Sequence, residues 1–447
     1  MSPPARGAEY PRNHQVINTF GALLILSIPA IVPIIFLHGL STPLHTFHWM
    51  DEPDFHYPTI MEFYRSFPYI NLSDYSSATT PLSHIIFAAI AKIIGPEISG
   101  LRLFNAFIGY LGASLLFYWF SGPFRMSIPR AVLLSLTFYL APYNYGSSFI
   151  VMTDAIGILF AIASLASLHI SLDRECNKYF ILSVIFSCLA IMTRQLYIWI
   201  AAVIALSIVY DMFLRGRTEA GRLILRSTAL AVSLAPLAAL AVLWGGLNPP
   251  RFQMHLGMQP ASVSFFIACI GLYSAPFILL RTLLTPEQKI ISLLYKTAIL
   301  LALSLAILEI APLQGKTLGG FSHDGIVWRL SSFASSIGGF NMIMVLLIIL
   351  GLACLHQALI RVKTPQNTPD PESIFIVASP LFIAISFAVA ITNSYIIYQK
   401  YYELPAMMIA MITFCTLQPH REERLGNIVL LSFVVLSACY AFLNPFS

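Results

Sequence analysis

Residues 194–217 read RQLYIWIAAVIALSIVYDMFLRGR, and this stretch decides what kind of fold the chain has. Residues 196–210 carry no charge. A helix over 196–213 rises about 27 Å, close to the ~30 Å hydrocarbon thickness of a bilayer. Its two ends differ. Beyond it, LRGRTEAGRLILR (214–226) concentrates Arg215, Arg217, Arg222 and Arg226, whereas only Arg194 and Gln195 stand before it. An apolar span with a basic end and an almost bare end predicts a transmembrane helix with its basic end in the cytoplasm.

The same pattern recurs along the chain. Apolar runs fall at about 17–40, 103–120, 131–144, 150–171, 179–193, 196–213, 227–244, 263–280, 290–311, 333–358, 374–391, 404–418 and 427–443. They predict an all-α, polytopic membrane protein of about thirteen helices, read as a single domain over 1–447. Composition agrees: 57% of the 447 residues are hydrophobic and 10% charged, against roughly a quarter charged in soluble domains. Too few polar groups exist to cover a water-facing surface.

Orientation follows from the basic residues. With the N-terminus inside, sixteen Lys and Arg fall on the cytoplasmic side, and Lys296 lies in a helix near its inner end. The outer segments hold eight: Arg65, Lys92, Arg102, Arg194, Arg251, Lys316, Arg329 and Lys400. This bias places the N-terminus in the cytoplasm. The leading MSPPARGAEYPRNHQ is too long and polar for a signal-peptide n-region, so the first helix is read as retained. Residues 81–94, PLSHIIFAAIAKII, are too short to span, and treating them as a span would invert every later loop. They are expected to form a helix lying in the interface, inside a first outer loop of about 41–102.

The net charge of +5 is scattered in short clusters with no basic, aromatic-interleaved block, so a nucleic-acid partner is not expected. The six cysteines sit mostly in apolar runs and form no CxxC pair. With no HExxH and no close His/Cys/acid cluster, neither a metal nor another cofactor is implied. The Pro-rich TPQNTPDPES (364–373) reads as an inner loop joining two helix groups.

The outer side is where chemistry collects. Asp51, Glu52 and Asp54 lie just past the first helix; they are either a solvated helix stop or a carboxylate able to take a proton from a sugar hydroxyl. Asp154, after Thr153, is costly in an apolar run unless paired, wetted or capping a helix. Arg194 and Gln195 form a bare connection between two apolar runs, so Arg194 needs an anion: a protein carboxylate such as Asp154, or a phosphate. Arg102 heads the next helix, where snorkelling serves as well as function. The loop NPPRFQMHLGMQP brings Arg251 and His255, and GGFSHDGIVWR brings His323, Asp324, Trp328 and Arg329, of which Asp324 and Arg329 can pair with each other. In NSYIIYQKYYELP, Lys400 stands among Tyr398, Tyr401 and Tyr402, suited to a lipid phosphate or to an ordinary aromatic belt. Few charges lie mid-helix, which disfavours a transporter with a midplane site, though a lipid-linked-saccharide flippase remains a rival reading.

On these residues the chain resembles the GT-C glycosyltransferases, polytopic enzymes that use polyprenyl- or dolichyl-phosphate sugars. The segment LRLFNAFIGYLGASLLFYW (101–119) is similar to the second helix of that class. A narrower likeness is to the family of the dolichyl-phosphate-glucose α-1,2-glucosyltransferase. MDEPDFHYP (50–58) looks like its MDE…F-H-x-P with one residue inserted. ATTPL, with Thr79, Thr80 and Pro81, resembles its I-T-T-P-P turn, MTD (152–154) its Y-T-D, RQLYIWI (194–200) its R-Q-T-N-I-x-W, and YQKYYELP (398–405) its E-F-R-Y-F-x-L-P. Departures fall at Leu82, Tyr398 and Lys400, and the D-N-R-H-Y…W-R element is only echoed by SHDGIVWR.

The resemblance implies inverting transfer of a hexose, glucose favoured, from a lipid-phosphate sugar to an acceptor hydroxyl on a lipid, protein or glycan. Asp51 would be the base, with Glu52 assisting; Arg194, Gln195, Lys400, Tyr401 and Arg102 would meet the donor phosphate. Thr80, Pro81, Asp154, Asp324, Trp328, Arg329, Arg251 and His255 would bind substrate or hold the site. No cofactor is required. The membrane would be that of the endoplasmic reticulum in a eukaryote or the inner membrane in a prokaryote. O-mannosyl transfer and lipid A-type sugar transfer are alternatives within the same class.

Overall fold

The computed structural model describes residues 12–37, 51–215, 220–255, 261–284, 326–327, 342–363, 374–392, 399–415, 427–428, 430–432 and 434–437. Among them the ordered elements are helical, with no strand. In chain order the α-helices are α1 (Arg12–Leu37), α2 (Tyr57–Ser66), α3 (Leu82–Ile94), α4 (Ile98–Ser121), α5 (Ile128–Tyr139), α6 (Pro142–Ser147), α7 (Asp154–Arg174), α8 (Asn177–Thr193), α9 (Ile198–Arg215), α10 (Ala220–Trp244), α11 (Ala261–Leu284), α12 (Met342–Lys363), α13 (Ile374–Ile391) and α14 (Gln399–Cys415). Among the described residues, five segments are long and apolar enough to cross a membrane: Ile98–Ser121, Asp154–Arg174, Gln195–Phe213, Ala220–Trp244 and Ile343–Ile360. The expected run at 290–311 and the Pro-rich 364–373 lie outside the described residues.

Helix ends follow local chemistry. The expected 131–144 run is divided: α5 stops at Tyr139, and Ala141 turns extended (φ −56°, ψ 131°) ahead of Pro142. Proline disfavours the helical region for its predecessor and opens a new first turn instead. At the other end of the molecule, α10 begins at Ala220, several residues before the expected 227. Arg226 is helical and buried, pairing with Asp211 at 3.2 Å and lying 5.0 Å over the Phe180 ring.

The core is one large apolar cluster drawn from most of the helices, with two smaller ones under α2, α3 and the end of α10. α7 and α8 form an antiparallel hairpin, closed by the left-handed Glu175 (φ 51°). α11 and α12 cross so closely that glycine is required at the crossing. A Cβ on Gly271 would collide with the Leu347 carbonyl oxygen, and one on Gly351 with that of Ile267. Small residues allow such backbone approach where lipid supplies no hydrophobic drive for helix association. α10 leaves Ile224, Val232, Val242 and Leu243 exposed, as expected of a lipid-facing helix.

The first loop is more structured than one interfacial helix. After Asp51 the chain makes a π-turn over Glu52–His56, then α2, an irregular stretch, and α3. α3 has 13 residues, too few to span a bilayer, and buries Phe87, Ala88 and Ala91 against its neighbours.

Candidate functional site

The site lies at the end of the bundle where α8 gives way to α9, where α7 and α14 begin, and where the π-turn after Asp51 packs. Each side chain arrives for a local reason. Arg194 follows α8 in an extended conformation (φ −158°, ψ 122°), because a short 3₁₀ turn at Gln195–Tyr197 intervenes before α9. Asp154 opens α7. A cation at a helix C-terminus and a carboxylate at a helix N-terminus each meet the favourable end of the helix dipole. The two meet: Arg194 NH1 donates to Asp154 Oδ1 at 2.6 Å, and both side chains are nearly buried. The carboxylate partner foreseen as one option for Arg194 is the one observed.

Lys400 sits in the first turn of α14 and reaches Asp51 Oδ2 at 2.8 Å. One turn later the buried Glu403 pins this helix: it accepts the Asn144 backbone N–H at 2.9 Å and the Tyr273 hydroxyl. Between the two cations lies Tyr401, with Arg194 4.7 Å and Lys400 5.4 Å from its ring centroid. Two cations, each paired with a carboxylate, thus flank one aromatic ring. Asp154, Arg194, Tyr197, Trp199, Lys400 and Tyr401 line a small cavity. The Asp51 side chain is 41% exposed, the most open of the four charged groups. The Lys400 ammonium holds its carboxyl down at about 2, so it is ionised at any ordinary pH.

Glu52 and Arg102 belong to a different arrangement. Glu52 is fully buried, takes the Arg102 Nε–H at 3.0 Å and the Val151 backbone N–H at 2.8 Å, and pairs with Arg102 through its second oxygen as well. Arg102, expected to face a donor phosphate, is therefore committed to Glu52. Glu52, expected to assist beside Asp51, instead points away into the protein. Adjacent residues on a helical turn cannot share a face, so the neighbours Asp51 and Glu52 divide into one open acid and one buried acid.

The other expected residues divide likewise. Thr80 donates to the Ile191 carbonyl at 2.6 Å and Pro81 precedes α3, so this turn ties the first loop to α8. Gln195, expected at a phosphate, joins loops instead: its amide donates to the Ala78 carbonyl and to Asn248 Oδ1, both at 2.7 Å. Arg251 lies 3.8 Å from Asp74 on the surface. His255 ends the 3₁₀ segment Pro250–His255; its side chain, and all of Asp324, Trp328 and Arg329, lie outside the described residues. Among the described residues no three His, Cys, Asp or Glu side chains gather as a metal site needs.

Three buried residues at the site were not singled out from the sequence. They are His56, His84 and Tyr75, linked by hydrogen bonds of 2.9 Å and 2.6 Å. In the sequence His84 reads, with Lys92, as a polar interruption of the apolar PLSHIIFAAIAKII. An unexplained buried-face His in a short amphipathic helix, with a second His nearby, was the available signal.

No protein-family model matches the chain, and no curated protein matches it either. Among solved structures, the chain is similar to ArnT from Cupriavidus metallidurans. The structure of that protein bound to undecaprenyl phosphate aligns with 13% identity and a TM-score of 0.41, covering 90% of this chain and 78% of that one. Its apo state aligns with 14% identity and a TM-score of 0.40, covering 91% and 78%. A likeness at that distance shows no family for this chain.

Proposed function

We propose that the chain is a glycosyltransferase that moves a hexosyl group from a polyprenyl- or dolichyl-phosphate sugar to an acceptor hydroxyl, with inversion. The observation that carries this reading is the Asp51–Lys400 pair beside Arg194, with both cations on Tyr401. A lipid phosphate that drew Lys400 and Arg194 to its oxygens would loosen Lys400 from Asp51. The carboxylate, held near 2 by that lysine, would then become more basic at the moment an acceptor is present. It would take the acceptor proton as the hydroxyl oxygen attacks the anomeric carbon. The bond from that carbon to the phosphate oxygen breaks, and the charge growing on the phosphate is met by the two cations.

Two further features support a sugar. Asp154 Oδ2 and Gln195 Oε1 are buried acceptors with no donor among the described residues, suited to sugar hydroxyls. The motif likeness favours glucose as the hexose. On this reading the site end of the bundle faces the outside or the lumen, and the N-terminus faces the cytoplasm.

The test is transfer itself. The purified full chain in lipid nanodiscs receives radiolabelled dolichyl- and undecaprenyl-phosphate hexoses and a lipid extract of membranes as acceptor. Label appearing in a new glycosidic product, from one hexose in preference to others, is the expected result. No such product in nanodiscs, together with label that the same chain moves across the bilayer of sealed vesicles, would overturn the reading in favour of a flippase.

A further inference from the structure

Behind Asp51 runs a chain of three neutral, buried side chains that transfer chemistry alone does not call for. His56 closes the π-turn that starts beside Asp51, and it is 4% exposed. Its Nδ1 lies 2.9 Å from His84 Nε2, and His84 Nδ1 lies 2.6 Å from the Tyr75 hydroxyl. Tyr75 is fixed by stacking on Trp244, with centroids 5.9 Å apart and planes 6° apart. His56 Nε2 has no hydrogen-bond partner among the described residues and is the open end of the chain. Asp51, Asp154, Arg194 and Lys400 are the charged groups that act on His56.

Two hydrogen-bond polarities satisfy this chain. In one, Tyr75 donates to His84, His84 donates to His56, and His56 Nε2 carries a proton outward. In the other, every bond reverses, and Tyr75 donates instead to the Thr80 carbonyl at 3.4 Å or Thr79 Oγ1 at 3.5 Å. His56 Nε2 then presents a lone pair. A neutral imidazole has one donor and one acceptor nitrogen, set by what the other nitrogen does. Burial keeps both rings neutral near pH 7, with His56 pushed down to about 4 and His84 well below its ordinary value.

We propose that His56 Nε2 contacts a substrate hydroxyl beside Asp51, and that the His84–Tyr75 chain lets this contact serve as donor or acceptor. The proposal rests on the glycosyl-transfer reading above and names the acceptor sugar as the partner. A hydroxyl that swings its one proton from His56 to Asp51 changes, toward His56, from donor to acceptor, and a contact able to reverse can follow it. His84 and Tyr75 act through His56 and are positioning residues.

The experiment uses the same nanodisc assay, with the same labelled donors and lipid extract, and compares His56→Gln with His56→Asn. A Gln amide extends to about where Nε2 stands, whereas an Asn amide replaces Nδ1 and keeps the internal bond to His84. The amount of extract giving half-maximal transfer should rise about tenfold in His56→Asn, the loss of roughly one hydrogen bond. It should stay within about threefold of wild type in His56→Gln. Half-saturation by donor should not move in either. Tyr75→Phe, which leaves both rings in place, should raise the extract requirement to a smaller degree. Asn outperforming Gln, or donor and acceptor requirements rising together, would show that His56 is only structural. If neither His56 variant folds, Tyr75→Phe decides: an unchanged extract requirement overturns the proposal. Wild type that transfers no label sinks the functional reading instead, a result distinct from active wild type indifferent to these changes.

Discussion

Asp51 and Glu52 are adjacent in sequence and opposite in circumstance, and the difference is measurable. Glu52 is fully buried against Arg102. Removing one partner of a buried ion pair leaves an uncompensated charge and costs about 3–5 kcal/mol. Glu52→Gln should therefore lower thermal stability and yield, while protein that does fold keeps most of its transfer rate per molecule. A variant of full stability and no activity would return Glu52 to the chemistry. Arg194 calls for a different comparison. Its guanidinium binds Asp154 and lies on Tyr401, so Arg194→Lys keeps the charge but loses the planar fork. Donor binding should weaken by roughly 1–3 kcal/mol, the range for a charge-assisted hydrogen bond; donor titration of a normally expressed variant checks it. On the proposed mechanism, Lys400 sets the pH behaviour. Because Asp51 is depressed to about 2, its base form persists as pH falls and is lost only through that low value. Wild-type transfer should hold steady on acidification to about pH 5. In Lys400→Met the carboxyl rises toward its ordinary range, and the acid fall in kcat/KM should begin at higher pH.

Among elements, the α11–α12 crossing is the least forgiving. The atoms that a Cβ on Gly271 or Gly351 would strike are backbone carbonyl oxygens of the facing helix, which cannot rotate aside. Gly271→Ala should lower the unfolding midpoint, at a cost of about 1–3 kcal/mol or more, without changing donor affinity in the surviving fraction; an unchanged midpoint would contradict the crossing. Most elements were legible because an apolar run of span length has few alternatives: α7, α8, α9 and α13 fall within a few residues of their expected bounds. The break at Pro142 was missed because the apolar run continues through it, hiding the proline's effect on Ala141. The site was legible in part. Arg194 stood out for lack of polar neighbours, and its pairing with Asp154 was one stated option. The commitment of Arg102 to Glu52 and the folding-in of His84 were not legible, since both join residues of the first loop to distant helices, and a single sequence carries no sign of such pairings.

At the scale of the whole molecule, the expected side of the membrane and the expected chemistry make one claim each. Asp74 lies at the site end, exposed, and Lys178 lies in the first turn of α8 at the opposite end. Single cysteines replacing them in a cysteine-free background should react with an impermeant maleimide from opposite sides of sealed vesicles, position 74 from outside; labelling from one side would contradict the bundle's orientation. The proposed transfer asks more, because it would need the π-turn, α7, the α8–α9 junction and α14 together. A positioned carboxylate contributes on the order of a hundred- to ten-thousand-fold by removing a proton from a poor nucleophile. Asn at position 51 keeps the size of the side chain and its hydrogen bond to solvent or Lys400, but cannot take that proton. The decisive measurement is hexosyl transfer by Asp51→Asn in nanodiscs, alongside donor binding by the same preparation. The account predicts at least about a hundredfold loss of transfer with donor binding retained; near-full transfer by this variant would contradict it.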